Sequence, residues 1–129
     1  MPPLPTIELT VHFEKNLDEI ERFLLDADAA QGFDALLVEL TETVLPNLQR
    51  YPAMGRHFLE RPVNSVETAN GVEALTAQLK RLDPDGELRE YVMTNYLLLY
   101  GRLNGRIVLL SIRHHRQLSF DFQALWPMG

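Results

Sequence analysis

Asn104-Gly105 is the feature of this 129-residue chain that most constrains its fold. An Asn-Gly pair between two β-rich runs is the strongest short-range hairpin signal, because both turn residues must adopt positive φ. The segments on either side, residues 96–103 and 106–114, are nearly continuous apolar runs. Such runs are typical of strands that are covered on both faces. We therefore predict a long C-terminal hairpin, with a further strand over about residues 88–94.

The N-terminal third of the sequence predicts one strand followed by a helical hairpin. Apolar and polar residues alternate over residues 7–13, which is typical of a half-buried strand. Asn16 followed by Glu19 has the pattern of a helix N-cap with its reciprocal partner, so we expect the first helix to begin there. An apolar stripe over residues 33–48 predicts a second helix, which Pro46 should kink or interrupt near its end.

Residues 59–87, which lie between the helical hairpin and the C-terminal strands, are predicted to form an insertion. It should contain a short third helix closed by a turn at residues 83–86, and the aromatic tail after the last strand should dock on the fold. The third helix is indicated by apolar residues at helical spacing, namely Val72, Leu75, Leu79 and Leu82. The whole chain, residues 1–129, is then a single α+β domain. In this prediction an N-terminal strand and an α-helical hairpin pack on an antiparallel sheet of about four strands, with an extra short helix in the insertion.

Composition and charge narrow the range of functions that the chain can have. The chain has no cysteine, so a disulfide framework or thiolate metal site is impossible. It also lacks a sufficiently long apolar run for a membrane span and a recognisable signal peptide, so we expect a cytoplasmic protein with no membrane contact. The net charge is −6, but residues 89–129 carry five arginines against two acidic residues. Because the chain is acidic overall, we expect it to bind nucleic acid only weakly or indirectly. Its C-terminal third is positively charged and could bind an acidic peptide.

A cationic cluster, residues 113–116, ends the last predicted strand. If the strand over residues 88–94 places Arg89 on the same sheet as Arg113 and Arg116, the three arginines would form one cationic face. The alternative is that Arg89 and Arg56 are ordinary surface residues paired with nearby glutamates, each pair contributing ~0–1 kcal/mol. We expect no metal site at the adjacent histidines, because neighbouring residues on a strand point to opposite faces. No cofactor motif is present, and we expect no cofactor.

The order of these motifs resembles toxins of the ParE/RelE superfamily from bacterial type II toxin–antitoxin modules. The similarity extends over about residues 6–116, and the longer segment 59–87 departs from it. It is carried by Ile7-Glu8-Leu9-Thr10, Asn16-Leu17-Asp18-Glu19-Ile20, Tyr51-Pro52-Ala53-Met54-Gly55-Arg56, Leu88-Arg89-Glu90-Tyr91, Tyr96-Leu97-Leu98-Leu99-Tyr100 and residues 107–116. Within the last of these, His114 and Arg116 match the "H-x-R" ending of the family's final strand.

The resemblance implies a small toxin held inactive by a cognate antitoxin. Members similar to ParE act on DNA gyrase without being enzymes, whereas RelE-like members cleave mRNA on the ribosome. The ParE-like alternative is favoured because docking on ribosomal RNA needs a basic surface, and this chain is acidic. The partner-binding residues expected from the cationic cluster and its neighbours are Arg56, Arg89, Arg113, His114 and Arg116.

Two other functions stay open from the sequence. The first is a ribosome-dependent endoribonuclease in which His114 acts as acid or base while Arg89 and Arg116 hold the phosphate. The second is an inactive relative that keeps only antitoxin binding.

Overall fold

The computed structural model of the chain describes residues 5–57, 74 and 76–115, and of β2 the backbone alone. The predicted α+β class is confirmed. No helix in these residues has the length and apolar character needed to cross a membrane. In chain order the elements are β1 (Thr6–Leu9), α1 (Val11–Asp26), α2 (Ala30–Glu39), a π-helical turn (Leu40–Val44), α3 (Leu45–Arg50), β2 (Arg56–His57), α4 (residues 76–82), β3 (Glu87–Val92), β4 (Tyr96–Leu103) and β5 (Arg106–His114).

The strands form one five-stranded sheet in the order β1-β5-β4-β3-β2. The pairs β2·β3, β3·β4 and β4·β5 are antiparallel, as predicted. The first strand differs from the antiparallel prediction, because β1 pairs with β5 in parallel. A parallel pair needs a long crossover connection. Here the chain supplies it with the helices and strands that separate β1 from β5.

The predicted hairpin is confirmed at Asn104-Gly105, where φ is 49° and 71°. Its register is regular from the turn to the pair Tyr100↔Leu109, and then shifts so that Leu99 pairs with Ser111. Leu110 is therefore an extra residue on β5, which is the definition of a β-bulge. Because strand side chains alternate between faces, one extra residue exchanges the faces of all residues beyond it.

Both faces of the sheet are buried, as the apolar strands predicted. One face carries α1, α2 and α3, and the other carries Leu79 of α4. The helical face contains Phe13, Leu36, Leu40, Val44, Leu48, Met93, Tyr96, Leu98, Tyr100, Ile107, Leu109 and Ile112. The opposite face contains Leu79, Leu88, Leu97, Leu99, Leu103, Val108 and Leu110.

The start of α1 differs from the prediction. The alternating pattern predicted a strand up to residue 13 and an N-cap at Asn16, but β1 ends at Leu9 and Thr10 is the N-cap. The Thr10 hydroxyl accepts a hydrogen bond from the Phe13 amide at 3.1 Å and donates one to the Leu109 carbonyl at 2.9 Å. This second bond ties the cap to β5, so tertiary structure decides between two residues that are both good N-caps.

Asn16 instead lies inside α1 and completes the outer edge of β5. Its side-chain oxygen accepts hydrogen bonds from the Ile112 amide at 3.1 Å and from the Ser111 hydroxyl at 2.8 Å. Strand β1 pairs with β5 only as far as Leu109. Asn16 therefore supplies a hydrogen-bond acceptor to β5 where β1 no longer can, which a buried amide requires.

The second helical segment is interrupted near Pro46, as predicted, by the π-helical turn Leu40–Val44. The Leu45 amide closes that turn by donating to the Leu40 carbonyl, five residues earlier. Pro46 has no amide hydrogen, so the helix loses one backbone hydrogen bond at this point. The wider π-helical turn accommodates this loss. Glu39 then fixes α2 to the sheet by accepting a hydrogen bond from the Thr94 amide at 2.9 Å.

The described part of the predicted insertion confirms its helix and its turn. Residues 76–82 are helical, and the Asp83 carboxylate accepts hydrogen bonds from the Asp85 and Asn104 amides at 2.9 and 2.8 Å. These bonds hold the pKa of Asp83 below its usual value and connect α4 to the hairpin turn. The predicted helix positions Val72 and Leu75, and the aromatic tail, lie outside the described residues.

Candidate partner-binding site

Arg89, a predicted partner-binding residue, holds the loop after α3 against the sheet. Its Nη1 donates to the carbonyl oxygens of Gly55 and, at 3.0 Å, of Ala53. Its Nε forms an ion pair with Glu87 at 2.8 Å, and only 11% of the Arg89 side chain is exposed. Most of its donors are therefore used within the chain, and its main observed role is to position this loop.

Tyr100 fixes the same loop from the neighbouring strand. Its buried hydroxyl donates to the Pro52 carbonyl at 3.0 Å and accepts from the Gly55 amide at 3.1 Å. A Cβ atom on Gly55 would lie 2.6 Å from the Tyr100 hydroxyl and 2.7 Å from the Glu90 carbonyl oxygen. The glycine of the Pro-x-x-Gly-Arg segment is thus required for close approach of the backbone to the sheet.

Glu87 joins two arginines on the helical face of the sheet. Its carboxylate pairs with Arg89 and with Arg102, each at 2.8 Å. The hydrogen bond from Arg89, together with that from Arg102 and the charge of both arginines, lowers the pKa of Glu87 to about 2, although burial opposes the shift. The pair formed by Glu87 and Arg89 is largely shielded from water, so its effect exceeds that of an ordinary surface ion pair.

Glu87→Gln should make the free energy of unfolding less dependent on pH in the acidic range. A carboxylate with a lowered pKa stabilises the fold fully above its unfolded value of about 4.5, and the contribution disappears as the pH falls towards about 2. We expect a loss of about 2 kcal/mol at pH 7, shrinking to nearly zero by about pH 2. Chemical denaturation across this pH range measures it, with the exposed Glu42→Gln as control. A difference between wild type and Glu87→Gln that does not change with pH would contradict the assignment.

The C-terminal end of β5 carries two other predicted residues, Arg113 and His114. Arg113 is buried, with 6% of its surface exposed, and its Nη1 lies 3.4 Å from the His114 carbonyl oxygen. The His114 ring packs edge-on against Tyr96, with 5.4 Å between the ring centroids. The His115 Nε2 lies 3.1 Å from the Met93 carbonyl oxygen, which can only accept a hydrogen bond.

The prediction that Arg89 and Arg113 share one cationic face is wrong. Arg89 pairs with Tyr100, which belongs to the helical face, whereas Arg113 pairs with Leu97, which belongs to the opposite face. Directly paired residues project their side chains to the same side of a sheet. The cause is the bulge at Leu110, because a regular hairpin register would have placed Arg113 opposite Tyr96, on the helical face.

Of the remaining predicted residues, the structure describes the backbone of Arg56 and no part of Arg116. Arg56 lies in β2, where its backbone pairs with Glu90, and its side chain is outside the described residues, as is the whole of Arg116. His114 and Arg89 do share the helical face, but their partners on β4 are four residues apart. Four residues along a strand and two strand spacings separate their backbones by roughly 16 Å. His114 and Arg89 are therefore not brought together, and Arg116, the third residue of the predicted catalytic set, lies outside the described residues.

Sequence reasoning missed Tyr100 and Glu87 as the residues that organise this region. Tyr100 falls within a nearly continuous apolar run, and Glu87 is the last residue of the predicted insertion. Their roles depend on the contact between the loop and the sheet, which joins segments about 50 residues apart. One signal could have been used: a tyrosine in a strand covered on both faces needs a hydrogen-bond partner for its hydroxyl.

This arrangement, a helical hairpin on a five-stranded sheet with a loop clamped at one end, defines the structural class. Residues 7–119 match the family model described as the ParE toxin of the type II toxin–antitoxin system, parDE. Comparison with curated proteins gave no match. Because the family model spans most of the sequence, the chain belongs to the ParE family of type II toxin–antitoxin toxins.

Proposed function

We propose that the chain is the toxic component of its module, that it inhibits DNA gyrase in the cytoplasm, and that a cognate antitoxin neutralises it by direct binding. The single observation that carries this proposal is the family match over residues 7–119. The predicted residues Arg56, Arg113, His114 and Arg116 are candidates for contact with these partners.

The geometry favours inhibition by binding over RNA cleavage. Phosphoryl transfer needs an acid or base and a cationic group converging on one phosphate. The backbones of His114 and Arg89 are roughly 16 Å apart by strand geometry. Arg89 is also engaged by Glu87 and by two carbonyl oxygens. A ribonuclease site at His114 would therefore need a cationic group other than Arg89.

Expression of the chain without its antitoxin tests the proposal. Inhibition of gyrase should produce filamentous cells and a DNA damage response, with mRNA left intact. Rapid arrest of translation with cleaved mRNA would instead support the ribonuclease alternative, and normal growth would support an inactive relative. Expression together with the protein encoded beside the toxin is the control, and it should restore growth.

Arg116→Ala should weaken toxicity or antitoxin affinity without lowering the melting temperature. The reason is that Arg116 follows the buried part of β5 in the sequence, and a guanidinium suits the recognition of an acidic partner segment. Growth inhibition on expression and the dissociation constant for the antitoxin measure the effect, and Lys80→Ala, an exposed cation on α4, is the control. Wild-type toxicity combined with unchanged affinity would remove Arg116 from the site.

A further inference from the structure

The turn between β4 and β5 is fastened to the end of α4 by two hydrogen bonds from Asn104. The Asn104 amide donates to the Asp83 carboxylate at 2.8 Å, and the side-chain Nδ2 donates to the Leu82 carbonyl oxygen at 3.2 Å. Leu82 is the last residue of α4, and the carbonyl oxygens at a helix C-terminus carry partial negative charge. Asn104 therefore caps this end of α4 with neutral donors.

Asn104 and Gly105 together have the chemical groups that spontaneous deamidation requires. In this reaction the backbone nitrogen of the following residue attacks the side-chain carbonyl carbon of asparagine. The bond from that carbon to Nδ2 breaks, ammonia leaves with the proton of the attacking amide, and a succinimide ring remains. Water then opens the ring at either carbonyl to give aspartate or isoaspartate. Both residues are exposed, and no described atom beyond the chain neighbours lies within 4 Å of the place that a Cβ on Gly105 would take.

The folded hairpin holds Asn104 in a conformation that prevents this attack. Both turn residues have positive φ, and Leu103 pairs with Arg106 to close the loop, which defines a type I′ turn. In that turn the backbone torsions direct the Gly105 nitrogen away from the Asn104 side chain. Ring closure needs the opposite rotation, which breaks the hydrogen bonds from Asn104 to the end of α4. Deamidation therefore proceeds only from a locally opened turn.

We propose that Asn104 is a site of spontaneous deamidation, that detachment of the turn from α4 sets its rate, and that the modified turn no longer reattaches. An aspartate product places a carboxylate beside that of Asp83 and against the Leu82 carbonyl oxygen, so a donor is replaced by a negative charge at a helix C-terminus. An isoaspartate product adds a methylene to the main chain of a two-residue turn, which the type I′ geometry does not accommodate. Because ammonia is lost, the change is irreversible.

Release of α4 has a consequence for the core. Leu79 of α4 is fully buried against the face of the sheet opposite the long helices. When the end of α4 is no longer fixed by Asn104, this contact is held only by its own packing, and the free energy of unfolding falls. Deamidation of Asn104 thus ages the protein in one direction, independently of the function proposed above.

Peptide mapping by mass spectrometry of the full chain, incubated in mildly alkaline buffer, measures the reaction as a mass gain of about 1 Da. Mapping also separates Asn104 from Asn70-Gly71, the other Asn-Gly pair of the sequence. Conversion of Asn104 should be at least about tenfold slower than in a synthetic peptide of residues 100–109, which has no α4 to hold it. Asp83→Ala removes the acceptor of the Asn104 amide and should react about fivefold faster than wild type. The control is Asp85→Ala, which removes an exposed carboxylate from the same turn and should react like wild type.

The effect of the modification on the fold is measured on the same samples. The melting temperature of wild type should fall as the modified fraction rises, whereas Asn104→Gly, which keeps a turn with two positive φ values but cannot deamidate, should keep a constant melting temperature. If Asp83→Ala does not fold, wild type in urea below its unfolding transition replaces it, and its rate of conversion should rise with urea concentration.

Three results would overturn the proposal. Asn104 that stays unmodified in wild type and in Asp83→Ala, after the synthetic peptide has been converted, would show that it is not a deamidation site. Equal rates in the folded chain and in the peptide would show that α4 does not control the reaction. A modified chain that melts like the unmodified one would show that the turn reattaches.

Discussion

Gly55→Ala should destabilise the protein by about 3 kcal/mol, in the range expected when a side chain is forced into a packed contact. The added Cβ would meet the Glu90 carbonyl oxygen at 2.7 Å as well as the Tyr100 hydroxyl. A backbone carbonyl in the middle of a sheet cannot move aside as a flexible side chain can. The loop must therefore shift, and its bonds to Tyr100 and Arg89 are lost with it.

Gly32→Ala is the matched control and should have the opposite effect. Gly32 lies in α2, where a Cβ would make ordinary contact with Leu24 at 3.6 Å. Alanine should stabilise this helix by about 0.5–1 kcal/mol. Urea denaturation of both variants measures the difference. Equal effects of the two substitutions would show that the loop over residues 51–55 is not held against the sheet as described.

Asn16→Leu should destabilise the protein by about 2 kcal/mol, because the Ile112 amide would keep no acceptor at the edge of β5. Local hydrogen exchange gives a sharper readout than total stability. The Ile112 amide should lose protection selectively, while the amides that bond to β4 keep theirs.

Asn47→Leu provides the control for this substitution. Asn47 is also a partly buried helical asparagine, but its one described side-chain contact is a long hydrogen bond of 3.4 Å to the Tyr91 hydroxyl. We expect a change within about 0.5 kcal/mol. If Asn16→Leu were equally mild and Ile112 stayed protected, Asn16 would have no role in completing the sheet.

The hairpin was predictable because its signals are local. Asn104-Gly105 determines the turn, and apolar runs on both sides determine that the sheet is covered on both faces. The boundary between β1 and α1 was not predictable in the same way. Val11 and Phe13 fit a strand pattern, yet Val11 is exposed and Phe13 buried because they belong to a helix. The choice between Thr10 and Asn16 as N-cap depends on β5, about 100 residues away.

The candidate site was harder to predict than the fold. A glycine often marks a bulge, but the bulge in β5 falls at Leu110, within an apolar run that has no alternation to break. The sequence therefore indicated where Arg113 lies along the strand but not which face it occupies. The contacts of Arg89 could not be anticipated either, because they require the loop over residues 51–55 to return to β3.

Gyrase-catalysed supercoiling of relaxed plasmid is the most direct test of the proposed function. Purified chain, added to gyrase from its own host, should inhibit supercoiling in proportion to its concentration, and the antitoxin should restore the reaction. An unaffected supercoiling reaction, together with mRNA cleavage by the same preparation on translating ribosomes, would contradict the proposal.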